Sequence, residues 1–96
     1  MADNSKPLFM EYKGKALVRE GNHICYGNMA DKALLYLLVT STKKFGKHDI
    51  PDKILIQIIS TDTTLPFHKR ILKQGEKNGL FDAFDIGMAW LDRHNA

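Results

Sequence analysis

The chain has 96 residues, 44% of them hydrophobic, with a formal net charge of +3 and a single cysteine, Cys25. That length makes one domain rather than two, and the apolar fraction excludes a disordered chain. One cysteine excludes an internal disulfide and a zinc site built on thiolate pairs, and it fits a reducing, cytoplasmic setting.

The charge is unevenly placed. Residues 1–75 hold 12 Lys/Arg against 7 Asp/Glu, and residues 76–96 hold 2 against 4. A balance this mild permits anionic partners without requiring them. Met1 to Pro7 has no apolar stretch behind a basic start, so no signal peptide is expected. The longest unbroken apolar run, Ala33 to Val39, is too short to span a bilayer, so no membrane association is expected.

Residues 1–12 carry turn formers and no hydrophobic period, which predicts a loose tail before one domain over 13–96. Within "KALVREGNHICYG", two alternating runs flank Gly21-Asn22, and that pattern predicts a β-hairpin. "DKALLYLLVTSTKK" has a helix-capping Asp31 and strong helix formers. Its apolar run lacks a 3.6-residue period and ends in Val39-Thr40-Ser41-Thr42. A buried strand with apolar residues on both faces explains it better. "DKILIQIISTD" is the clearest strand, with Ile54, Ile56 and Ile58 on one side and Leu55, Gln57 and Ile59 on the other. These two strands are expected to be antiparallel neighbours.

Residues 65–74 have two readings. Pro66 can open a short helix that Gly75 ends, or Lys69 to Lys73 can form a charged edge strand, and the strand is preferred. "EKNGLFDAFDIGMAWLDRH" reads as a helix with Leu80, Phe84, Met88 and Leu91 along one stripe. Gly87 falls on that stripe, where a missing side chain lets a sheet approach. The assembly expected is α+β: a single small domain, with an antiparallel sheet of four to five strands built from hairpins and one C-terminal α-helix packed on a face.

The chemistry-bearing residues form few constellations. "STKKFGKHDIPDK" places Lys43, Lys44 and Lys47 around Gly46, but a strand follows rather than a helix, so it is no P-loop. It is a solvated hairpin tip, or an anion-binding tip extended by Lys69, Arg70 and Lys73. His23, His48, His68 and His94 have no metal-ligand spacing, and neither a metal site nor a cofactor is expected. Cys25 and His23 share a strand face without an orienting third group, so no catalytic residues are assigned. Asp82, Asp85 and Asp92 lie opposite the apolar stripe and read as a solvated face. They also argue against a helix that enters a DNA groove, because phosphates repel them.

Phe81, Ile86 and Trp90 flank the stripe. They read as core at helical spacing, or as interface anchors on a helix too apolar for one sheet face to cover. The function expected is a non-enzymatic protein–protein interaction module, with homodimerisation as one form and Phe81, Ile86 and Trp90 as anchors. The alternative is a nucleic-acid or polyanion binder using the basic hairpin. A small enzyme without a recognisable motif comes third.

Overall fold

The computed structural model describes residues 8–96, with side chains described from residue 10. Six strands form one antiparallel sheet: β1 (Leu8–Tyr12), β2 (Lys15–Glu20), β3 (His23–Gly27), β4 (Ala33–Val39), β7 (Lys53–Ser60) and β8 (Ile71–Asn78). Their spatial order is β1-β2-β3-β4-β7-β8, a meander in which each strand pairs with the next one of this sheet. Between β4 and β7 the chain makes a separate two-stranded arm, β5 (Thr42–Phe45) and β6 (His48–Pro51). A single helical turn, α1 (Phe67–Arg70), precedes β8, and α2 (Leu80–Asn95) closes the chain.

The expected α+β architecture is therefore present, with a larger sheet than four to five strands. The hairpin over 16–26 is present as β2–β3, and its turn places Gly21 at φ +59°, as the first central residue of a type II′ turn requires. The apolar run is β4, and its pairing with β7 runs unbroken from Ala33↔Ser60 to Val39↔Ile54. Both strands are largely buried because each is flanked by a neighbouring strand on both sides.

Three expectations need correction. Residues 8–12, read as part of a loose tail, form β1 and pair with β2 across a Lys13-Gly14 turn. Residues 1–7 of that expected tail lie outside the described residues. Residues 65–74 realise both competing readings in series, one helical turn and then a strand. The edge strand runs over 71–78 rather than 69–73. Consequently Glu76, Lys77 and Asn78 belong to β8, not to the helix. Pairing along the isoleucine-rich β7 overrides their helical propensity, and Gly79, at φ +86°, then turns the chain into α2.

The core lies between one face of the sheet and α2. Ile24, Tyr26, Leu35, Leu37, Ile54, Ile56 and Ile58 contribute from the strands, and Ala83, Gly87 and Leu91 from the helix. The buried line of α2 is thus shifted from the Leu80–Phe84–Met88 stripe toward its small residues. A Cβ on Gly87 would lie 2.6 Å from Cδ1 of Leu35. The missing side chain is what lets the helix settle this closely on β4. Asn95 ends the helix by pairing with the backbone of Ala33, whose N–H donates to its Oδ1 at 2.8 Å.

Candidate functional site

The helix lies mainly over β4, β7 and β8. The same sheet face continues past it through β3 onto β2 and β1, where among the described residues it is only partly covered: Leu17 is half-buried and Met10 and Tyr12 are exposed. The result is an apolar groove of about 300 Å³ between the first turns of α2 and strands β1 to β4. Leu17, Ile24 and Leu37 lie on the sheet side, Met10 and Tyr12 come from β1, and Leu80, Phe81 and Phe84 from the helix. Met10 is 50% exposed and Phe81 83%.

Strand alternation explains why these side chains converge. The register Met10↔Leu17, with Leu17↔Tyr26, carries one side-chain layer from the core outward to the sheet edge. An aromatic cluster anchors the inner wall: Tyr26 meets Phe84 edge-on with centroids 5.3 Å apart, and Tyr12 lies 5.8 Å from Phe84. The Tyr26 hydroxyl donates to the Tyr12 carbonyl at 2.8 Å, which ties β1 to the core. Two charges line the groove, Arg19 and Asp85.

The sequence-predicted anchors separate in space. Phe81 stands exposed at the groove. Ile86 is half-buried against the core. Trp90 lies on β8: a Cβ on Gly75 would be 2.8 Å from its ring, and the Lys73 ammonium sits 4.6 Å from the ring centroid. That ring is already occupied within the chain. Asp85, expected on a solvated face, is exposed but reaches the groove lining.

The predicted anion-binding residues do not form one patch. Lys43, Lys44 and Lys47 lie on the arm, which leaves the sheet where β4 ends and β7 begins. Lys69 and Arg70 lie beyond the opposite end of β7, about 25 Å away for eight residues at roughly 3.3 Å each. Arg70 donates from Nε to the Ser60 carbonyl at 2.9 Å, and Lys73 is placed over Trp90. On the arm itself Lys44 pairs with Asp49 at 3.0 Å. Lys43 and Lys47 then flank Phe45, which is 73% exposed beside the tip.

The opposite face of the sheet holds Cys25 across from Tyr36. Burial pushes the Cys25 thiol above its ordinary value, against a smaller lowering effect from its hydrogen bond with Tyr36. A raised thiol pKa leaves less thiolate at neutral pH than in a free cysteine, the reverse of what a nucleophile needs. His23, on the same face, is exposed. Among the described residues, no group of three or more His, Cys, Asp and Glu side chains converges as a metal site would need. No described helix is long and apolar enough to cross a membrane.

Met10, Tyr12, Leu17 and Arg19 were not singled out from sequence. The available signal was the alternation of Met10 and Tyr12 before Lys13-Gly14, a hairpin signature that the neighbouring turn formers obscured. Comparison with known proteins gives no match: no family model, no curated protein and no solved structure matches this chain.

Proposed function

We propose that the chain is a non-enzymatic protein-interaction module, that its working surface is the groove beside α2, and that a second copy of the chain is its first occupant. The observation that carries this reading is the exposure of Phe81 beside Met10 and Tyr12, at the mouth of an apolar trough lined on the sheet side by Leu17, Ile24 and Leu37. Large aromatic side chains at the rim of an apolar trough are the groups that anchor protein interfaces. Of the three anchors expected from sequence, Phe81 takes the main role, because Ile86 and Trp90 already pack within the chain. The reading places the protein in the cytoplasm, where its only cysteine stays reduced.

Phe81→Asp tests the reading with little cost to folding, since an exposed side chain changes stability by only about 0.5 kcal/mol. In sedimentation velocity the wild type is expected to grow heavier with concentration, and the variant to remain a monomer. A wild type that stays monomeric throughout, indistinguishable from Phe81→Asp, would remove the reading.

A second reading is supported by Phe45 standing exposed between Lys43 and Lys47. A two-stranded ribbon with an aromatic beside its tip and free ammonium groups suits single-stranded nucleic acid, where the ring stacks on a base and the lysines meet phosphates. Its measurement is fluorescence anisotropy with a labelled single-stranded oligonucleotide. Binding should weaken steeply with salt and vanish when residues 42–51 are replaced by a two-residue turn. Equal binding by the chain lacking the arm would rule it out.

A further inference from the structure

The two edges of the six-stranded sheet are built differently. The β8 edge carries exposed Lys73, Gln74, Glu76 and Lys77, and a bulge interrupts its register opposite Ile58/Ile59. Charges and bulges are the devices that keep a sheet edge from pairing with another chain. The β1 edge, "LFMEY", has neither proline nor lysine, and its only charge is Glu11. No described strand pairs with its outer side. It borders the groove, and its Met10 and Tyr12 are 50% and 40% exposed.

We propose that β1 is a self-association edge: two copies pair their β1 strands antiparallel about Met10, joining two six-stranded sheets into one. The proposal rests on the reading of the groove as a protein interface, and it names the mode of contact. A second copy fits the edge because the strand is complementary to itself. Centring the pair on Met10 sets residue 8 opposite 12 and residue 9 opposite 11, so the whole strand is used. Glu11 then stands opposite residue 9 rather than its own copy, so like charges are not directly paired.

Geometry also supplies the occupant of the groove. Directly paired residues point to the same face of an antiparallel sheet. Met10 and Tyr12 of both copies therefore lie on the face that carries α2, and the two grooves adjoin across the junction. Each groove is closed from the side by the other copy's Met10 and Tyr12. The contact is isologous, the same patch used twice, which closes at two subunits and leaves no free β1 edge.

Cysteine cross-linking of the full chain in a Cys25→Ala background tests the pairing. Across an antiparallel pair, opposed Cα atoms lie about 4.5–5.5 Å apart, within disulfide range. Met10→Cys should therefore form a covalent dimer under mild oxidation at least about tenfold faster than Thr63→Cys, an exposed loop position used as control. On the unmodified chain, hydrogen exchange of amides in residues 8–12 should slow as concentration rises. Rapid cross-linking with concentration-dependent protection upholds the proposal. If the wild type self-associates and Phe81→Asp prevents it, but Met10→Cys reacts no faster than the control, β1 pairing is overturned and the groove reading stands. A monomeric wild type with unprotected β1 amides overturns both.

Discussion

Gly87 sits where α2 packs tightly on β4, and the space it leaves is filled by a fully buried leucine, Leu35. Two effects oppose each other at this position. A helical glycine costs about 1 kcal/mol relative to alanine. Any larger side chain must displace Leu35, and overpacking a core costs typically about 1–3 kcal/mol. With valine the second effect wins, because a branched side chain is also stiff in a helix. Gly87→Val should lower the unfolding free energy by about 1–3 kcal/mol, read from a urea denaturation curve. An unchanged midpoint would mean that the helix packs less closely than the geometry here. Other residue-scale consequences come from acidic protons. Burial raises the pKa of Tyr26, Tyr36 and Cys25 above their ordinary values. The unfolded chain thus releases these protons at lower pH than the folded chain does. Their contribution is fully present below the unfolded values, about 8.5 for cysteine and 10 for tyrosine, and is lost as pH rises through the raised folded ones. The urea midpoint should fall between about pH 8 and pH 10.5, and fall less in Tyr36→Phe. A midpoint independent of alkaline pH would contradict the shifts.

At the scale of elements, the molecule divides into parts that carry the core and parts that do not. Strands β4 and β7 and the buried line of α2 form the cohesive unit. The arm contributes no buried residue: every position of β5 is exposed, and β6 is exposed or half-buried. Its one ion pair, Lys44 with Asp49, is solvent-exposed, and such pairs are worth little. The shortened chain used to test oligonucleotide binding should therefore stay folded, with the amide spectrum of the six-stranded sheet preserved. The backbone bonds at the arm's base, Thr40 N–H to the Lys53 carbonyl and Asp52 N–H to the Ser41 carbonyl, mark where a two-residue turn can close the β4–β7 hairpin. Global unfolding of that chain would show that the arm stabilises more than its contacts suggest. Strand β1 is intermediate in this respect. It is held by β2 and by the Tyr26 hydroxyl on its backbone, yet one of its edges and part of its apolar face remain open.

For the whole molecule, local pattern and tertiary arrangement determined different things. The sequence by itself specified that there is one α+β domain. Alternation in "KILIQIIS", the unbroken run "ALLYLLV" and the hairpin around Gly21-Asn22 are local signals, and each corresponds to a strand where it was expected. The C-terminal helix was legible for the same reason, as was the need for a small residue at Gly87. Strand β1 was not legible, because a five-residue edge strand is stabilised by pairing with β2 more than by its own composition. The span of β8 was not legible either, because Glu76 and Lys77 favour helix until β7 offers them a partner. The site depended most on the third dimension. Spacing on the helix grouped Phe81, Ile86 and Trp90, whereas packing half-buried Ile86 against the core, laid Trp90 on Gly75 and left Phe81 exposed. Composition grouped six basic residues, whereas the length of β7 placed them at opposite ends of the sheet. The groove joins side chains from residue 10 to residue 85, and no local pattern encodes such a neighbourhood. It exists because α2 is wide enough to cover only part of a six-stranded face, a mismatch that arises only when helix and sheet meet.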